Sequence, residues 1–290
     1  MLRTIAIQSW NRYAQSDWKL ISGLIIVIVL LLFGPVGAIF VSEEGVELGS
    51  SGFAEPPSGQ HLLGTDTTGR DMLALMVYGT PPTLRVGFLA GGIGTLVGVI
   101  LGLLSGYYRG PIDTVIRSAA DIALTIPALA VLVVLASFLR TTTVELMALI
   151  VAVFAWPWPT RAIRAQTLTL REQGFVSVAK LSGRTDAEIL FLEILPNLLP
   201  YIMASFVAAV SGAILVSVGL QLLGLGPILI PTLGLILQFA FEYAAIVRGM
   251  WWWWGPPTIL LMLLFVGLFL ISMALDEISN PRLKGLTEKA

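Results

Sequence analysis

From Leu20 to Val41 the chain runs for 22 residues without one charged side chain, and comparable uncharged runs recur along its whole length. An α-helix rises 1.5 Å per residue, so roughly 20 apolar residues cross about 30 Å of bilayer hydrocarbon. Hydrophobic side chains make up 56% of the 290 positions and charged ones only 12%, about half the share expected of a soluble domain. The chain is therefore read as an all-α polytopic membrane protein with six transmembrane helices. The spans are Leu20 to Val41, Val86 to Tyr108, Ile122 to Leu139, Leu146 to Thr160, one within Ile194 to Phe241, and Gly249 to Leu275. The fourth is short and ends in Trp156-Pro157-Trp158-Pro159; the fifth stretch exceeds one span, so its spare length is expected to form a loop.

Orientation follows from the placement of Lys and Arg, because basic residues accumulate on the cytoplasmic side. With the N-terminus inside, Arg3, Arg12, Lys19, Arg109, Arg117, Arg161, Arg164, Arg171, Lys180, Arg184, Arg282, Lys284 and Lys289 are cytoplasmic. Only Arg70, Arg85, Arg140 and Arg248 lie outside, 4 of the 17 basic residues. Both termini are then cytoplasmic, as an even span count requires. The first span is too long for a signal peptide h-region and no small-residue cleavage site follows it, so it is expected to be retained. The resulting layout is a cytoplasmic segment 1–19, a first span 20–41, an outside loop 42–83, a core 84–275 with a cytoplasmic loop 161–197, and a cytoplasmic tail 276–290.

Outside, Glu43, Glu44, Glu47 and Glu55 sit among Gly, Ser and Pro. The polar run from His61 to Asp71 leads into Met72 to Tyr78, which reads as a short amphipathic helix lying on the membrane surface. In the second span, Gly87 and Gly91 are followed by Gly94, Gly98, Gly102 and Gly106, the last four on one helical face. Small residues at every turn permit close helix approach in lipid; a face lining a conduction path is the alternative. Trp251 to Trp254 read as an interfacial anchor at the outer headgroups, with a stacking platform for substrate as the other reading.

The segment from Arg161 to Glu193 carries five basic and four acidic residues together with a helical apolar pattern. Phe175, Val178, Ala179, Leu181 and Ser182 share a face at helical spacing. Gly183 interrupts that pattern, and Thr185 can cap a new helix through Glu188 three residues on. Two short helices at an angle are expected, with Pro196 suited to the first turn of the fifth span.

Ser177-Val178-Ala179, three residues, Gly183, and then Glu193-Ile194-Leu195-Pro196 resemble the coupling loop of permease subunits in binding-protein-dependent ABC importers. That family's loop reads Glu-Ala-Ala, three residues, Gly, about nine residues, Ile-X-Leu-Pro; here Ser177 replaces its glutamate and the isoleucine falls one position late. Pro56-Pro57 with His61-Leu62-Leu63-Gly64-Thr65-Asp66 and Gly69-Arg70-Asp71 resembles the oligopeptide, dipeptide and nickel branch. So does the tail Asn280-Pro281-Arg282-Leu283. Ala179-Lys180-Leu181-Ser182-Gly183 and Met273-Ala274-Leu275-Asp276-Glu277-Ile278 look like members serving oligosaccharides.

The resemblance implies a type I importer permease fold and an ATP-driven tilting of the spans between inward-open and outward-open states. It also implies that Phe175, Ser177, Val178, Ala179, Lys180, Gly183, Thr185, Asp186, Leu195 and Pro196 couple the membrane helices to an ATPase. The implied partners are two ATP-binding subunits, which would hold ATP and magnesium, a second and different permease, and an external solute-binding protein, all within membrane lipid. The substrate would be an oligopeptide or an oligosaccharide.

Several chemistries lack their residues. No Gly-X4-Gly-Lys-Ser/Thr phosphate loop and no Gly-X-Ser-X-Gly elbow occurs. Cysteine is absent, and His61 is the only histidine, read as an outside turn residue. No metal cluster, catalytic residue or cofactor is expected in this chain, and the basic residues serve topology rather than nucleic acid. An ion-coupled secondary transporter is the competing reading, but it calls for ionisable groups deep in the spans. With these bounds Arg85 and Asp121 fall at span ends. A membrane-embedded enzyme should show acidic or histidine clusters at an interface, and none is present.

Overall fold

The computed structural model describes residues 18–138 and 143–279. The segment 1–17, Arg140 and the tail with Asn280-Pro281-Arg282-Leu283 lie outside them. Four helices are each long and apolar enough to cross a membrane: α1 (Trp18–Phe40), α2 (Met72–Tyr108), α8 (Asp186–Leu222) and α10 (Trp251–Ser279). Two bent pairs bring the candidate crossings among the described residues to as many as six, each pair counting as one broken span. The first pair is α3 (Gly110–Thr125) with α4 (Ala128–Ser137), and the second is α5 (Val144–Ala152) with α6 (Pro157–Arg171). Two shorter helices complete the order, α7 (Gly174–Leu181) and α9 (Leu233–Glu242). Lys19 at the start of α1 forms an ion pair with Glu277 near the end of α10, so these two chain ends lie at the same face.

α2 is the central post. Its N-cap is Asp71, whose carboxylate accepts from the Ala74 N–H at 3.0 Å. Its 37 residues span about 55 Å, far more than the hydrocarbon needs, so its first turns rise above the membrane on the outer side. Met72, Ala74, Leu75, Met76 and Val77 are buried there. No separate surface helix exists at Met72 to Tyr78: that stretch is the head of α2, covered by the outer loop. Pro81 and Pro82 do not end the helix. The Pro81 ring instead fills the space over Gly34 of α1, where an added Cβ would come within 2.2 Å of Pro81 Cγ.

Four other sequence expectations change. The third crossing begins at Gly110 rather than Ile122 and bends by 78° at Ile126-Pro127, because proline disfavours a helical residue before it and supplies no N–H of its own. Ile126 is accordingly extended, with ψ of 129°. The cytoplasmic loop does not start at Arg161, since α6 continues to Arg171. The fifth crossing starts at Asp186 rather than near Pro196, so the predicted second short helix is the first turn of α8. Ile189–Ile194 within it is wound as π-helix. Finally, the spare length after α8 is a loop only as far as Thr232. α9 follows, capped by Thr232 Oγ1 accepting from the Leu235 N–H at 3.2 Å, and it is buried from Leu233 to Gln238.

The tryptophans do not form an exposed belt. Trp251 is exposed, but Trp253 is wholly buried and stacks on Tyr243 at 6.0 Å between ring centres. The Trp252 indole N–H donates to the Thr65 carbonyl at 3.2 Å, which ties the head of α10 to the outer loop.

Candidate functional site: the cytoplasmic hairpin and its hold on the membrane helices

Gly94, Gly98, Gly102 and Gly106 advance along α2 four residues at a time, and Ala155, Pro159, Ile163 and Thr167 advance in step beside them. A Cβ built on each glycine would fall 2.5, 2.5, 2.9 and 2.6 Å from the Cβ of its opposite residue. The backbones therefore meet without side chains between them, as small residues allow in lipid. Gly87 and Gly91 face a different helix, against Ile214 and Val210 of α8. α2 is thus held on two sides, by α6 along its cytoplasmic half and by α8 nearer its middle.

At the cytoplasmic end of α2 stands Tyr107, buried to within 4%. Its hydroxyl donates to Asp186 Oδ1 at 2.6 Å. The Lys180 ammonium lies 5.5 Å from its ring centre and the Arg171 guanidinium 5.7 Å, both within cation–π range. Arg171 also donates to the Tyr107 carbonyl. One tyrosine thereby touches the last turn of α6, the last turn of α7 and the first turn of α8. Sequence reasoning missed it; the available signal was an aromatic pair, Tyr107-Tyr108, closing a glycine-rich span.

Beneath it lies a small apolar core of Leu103, Ile163, Val176, Ala179, Ile189 and Ile194. Only Val176 and Ala179 of α7 enter this core. The predicted apolar face of Phe175, Val178, Ala179, Leu181 and Ser182 is therefore divided, because α7 turns Ala179 inward and the others outward. Ser177 and Lys180 are also at the surface. Val178 is 62% exposed and Leu181 89%, with Phe175 on the same edge.

The turn between α7 and α8 is fully bonded. Gly183 takes a φ of +77°, the left-handed conformation that glycine adopts without steric cost. Its N–H bonds to the Lys180 carbonyl at 3.0 Å, and that of Arg184 to Ala179 at 3.2 Å, the paired bonds of a Schellman C-cap. Thr185 and Glu188 then close a capping box: the Glu188 carboxylate accepts from the Thr185 N–H at 2.8 Å, and Thr185 Oγ1 accepts from the Glu188 N–H at 3.3 Å. Leu195 bonds back five residues to the Leu190 carbonyl, and Pro196 follows exposed in the next turn. The hairpin is a rigid element with an apolar outer edge, rooted in the membrane helices through Tyr107, Val176 and Ala179.

On the outer side, the Asp66 carboxylate is wholly buried. It accepts from the Thr68 N–H and hydroxyl, the Arg70 N–H and Arg70 Nε, all within 3.0 Å. His61 Nδ1 lies 2.7 Å from Asp71, the α2 cap. This motif fastens the outer loop onto α2 and α10. Arg85 lies within α2 and pairs with Glu145 of α5 at 2.9 Å. Among the described residues no group of three metal-binding side chains comes together.

Residues 98–285 match the model of the family described as the inner membrane component of binding-protein-dependent transport systems. The dipeptide transport system permease protein of Alkalihalophilus pseudofirmus is 32% identical over 76% of this chain and 73% of its own length. The oligopeptide transport system permease protein of Lactococcus lactis is 31% identical over 65% of this chain and 64% of its own length. Among solved structures, an inward-facing methionine ABC transporter chain matches 72% of this chain and 97% of its own length, with a TM-score of 0.57 and 22% identity, a likeness of fold.

Proposed function

Because this chain belongs to the inner membrane components of binding-protein-dependent transport systems, the permease subunits of ABC importers, we propose that it conducts oligopeptides across the cytoplasmic membrane. Hydrolysis of ATP, with magnesium, takes place in two separate ATP-binding subunits. Peptide substrates are favoured by relatives whose names specify dipeptide and oligopeptide transport. Oligosaccharides are the second substrate class, favoured by the resemblance of Ala179 to Gly183. A second, different permease completes the pathway, and an external binding protein delivers the substrate.

The observation that carries this reading is the outward apolar edge of Phe175, Val178 and Leu181 on a helix whose opposite side, Val176 and Ala179, is locked into the membrane core. A nearly fully exposed Leu181 on a cytoplasmic turn is disfavoured in water and suited to a groove on a partner. Force applied to that edge passes through Lys180, Asp186 and Tyr107 into α2, and through α8 into its whole length. Gly183 and the Thr185 cap keep the edge from folding away under load.

Uptake of a labelled oligopeptide into vesicles, with and without the ATP-binding subunits, tests the proposal. Uptake is expected only with those subunits, the binding protein and ATP. Accumulation driven by an ion gradient alone would instead establish a secondary transporter.

A further inference from the structure

A cavity of about 890 Å³ opens on the outer side, between the loop that follows α1 and the segment 228–243 that holds α9. Tyr78, in the second turn of α2, forms part of its wall. The first turns of α2 rise above the hydrocarbon, so groups beside them meet water or another protein rather than lipid tails. No sequence motif singled out this place, because its two walls lie more than 150 positions apart in the chain.

The lining suits a positive charge. Glu43 and Glu47 stand on the loop side, both exposed, and neither enters an ion pair among the described residues. Phe239 and Tyr243 stand on the other side, with Tyr243 46% exposed. The Arg70 guanidinium lies 4.9 Å from the Phe239 ring centre, so this aromatic wall already accepts a cation. Arg70 is itself neutralised by the wholly buried Asp66 at 2.8 Å. Counting Glu43, Glu47 and Asp66 against Arg70 leaves two negative charges to be met from outside the chain. The rim is apolar instead: Leu48, Ile228 and Leu229 line the same cavity and are 74%, 69% and 95% exposed. Large aliphatic side chains so bare, above the lipid tails, mark a protein contact. A short peptide filling the cavity would leave them in water, whereas a folded partner covers the cavity and its rim together.

Resting on the transport reading above, we propose that this cavity seats a basic segment of the external binding protein. A lysine or arginine of that protein enters between the Glu43 and Glu47 carboxylates and the Tyr243 ring, and apolar residues beside it cover Leu48, Ile228 and Leu229. The unpaired carboxylates speed encounter, and burial of the rim slows release. The seat is formed before docking. Asp66 fastens the loop at one end of the cavity through four bonds, and the Tyr78 hydroxyl donates to the Val41 carbonyl at 3.0 Å at the other. Little ordering is left for the partner to impose.

The complete transporter in nanodiscs, immobilised for biolayer interferometry against the purified binding protein that supports its uptake, gives the test. Association with the unaltered transporter should slow as salt rises from about 0.05 to about 0.5 M. Glu43→Gln with Glu47→Gln should slow association about tenfold at low salt and remove most of the salt dependence. Leu229→Ser should leave association alone and speed dissociation about tenfold at any salt. All three positions are exposed, so the thermal midpoint and the ATPase rate without binding protein should match the unaltered transporter, which separates docking from folding. Unchanged kinetics in either variant, with uptake intact, would overturn the proposal and leave the transport reading standing. A transporter that binds no external protein at all would overturn the transport reading and this proposal with it. The chain has no cysteine, so Leu229→Cys offers a second measurement: a membrane-impermeant maleimide should label it in the assembled transporter, and docked binding protein should shield it. Failure to label before docking would show that the second permease covers the rim, and would overturn the proposal. So would binding of a free lysine-containing tripeptide that the paired glutamine substitutions abolish, which would make the cavity a substrate site.

Discussion

The Tyr107 hydroxyl donates to Asp186 at 2.6 Å, joining the cytoplasmic end of α2 to the first turn of α8 across 79 positions of sequence. Tyr107 also belongs to the buried apolar cluster that holds Ile163, Val176 and Ala179. The bond sits where the outward hairpin meets the membrane helices, so it should transmit motion as well as contribute stability.

Tyr107→Phe removes the bond and preserves the ring. A hydrogen bond to a charged acceptor contributes about 1.5–3 kcal/mol, and the thermal midpoint should fall accordingly. The specific outcome is a drop in substrate moved per ATP hydrolysed. Asp186→Asn should produce a similar fall, and the double variant should be no worse than either single one, since the two side chains act as a pair. Additive losses in transport coupling would mean that the bond is only structural.

Gly102→Val should separate α2 from α6. The added Cβ would lie 2.9 Å from both Ile163 Cβ and the Thr160 carbonyl, and overpacking of this kind costs about 1–3 kcal/mol. Gly92→Ala is the matched control, because its nearest neighbour is a Phe206 ring carbon at 3.9 Å. Thermal unfolding in detergent should separate the two variants clearly. An equal response would remove the special role assigned to the four-residue stripe.

Much of this arrangement was legible in the sequence, for local reasons. The glycine stripe is a four-residue period and the Thr185–Glu188 box a three-residue one, so both can be read without knowing what lies opposite. What lies opposite could not be read. Ala155 just before α6 and Pro159, Ile163 and Thr167 within it face α2, yet α6 also carries Arg161, Arg164 and Arg171, and those charges disguised it as a loop. The Ile122 to Leu139 run hid a bend, because apolarity measures solvent and not direction. α9 was hidden in the same way inside one long uncharged stretch. Tyr107 was overlooked because its partners, Arg171, Lys180 and Asp186, come from three elements that only the tertiary fold brings together.

Gly183→Ala should destabilise the hairpin. The φ of +77° places an alanine in the left-handed region, at a cost of about 1–2 kcal/mol. Gly183→Asn should recover most of the loss, since asparagine tolerates that conformation at helix C-caps. Amide exchange of residues 177–188 offers a direct measurement, with protection falling in the alanine variant and returning in the asparagine one.

Asp66→Asn should loosen the outer loop. The carboxylate is wholly buried, with Arg70 only 11% exposed beside it, and breaking a buried, hydrogen-bonded pair costs about 3–5 kcal/mol. Faster proteolysis between residues 43 and 70 is the expected readout, with the cytoplasmic hairpin unaffected.

Leu181→Glu separates stability from function most sharply. At 89% exposure the leucine contributes almost nothing to packing within this chain, so the thermal midpoint should stay within the small range of surface substitutions, about 0.5 kcal/mol. Docked in an ATP-binding subunit, the same side chain would be buried, and a carboxylate there would be desolvated without a partner. Association of those subunits should weaken by about tenfold or more, the scale of an interface hot spot, and ATP-driven uptake should fall with it. Phe175→Glu, on the same edge, should behave alike. Ser177→Glu instead adds a carboxylate at an exposed position one turn before Leu181, the position where the resembling family carries its own glutamate, and should leave association intact or strengthen it. A Leu181→Glu transporter that assembles and pumps normally would move the contact with the ATP-binding subunits away from α7.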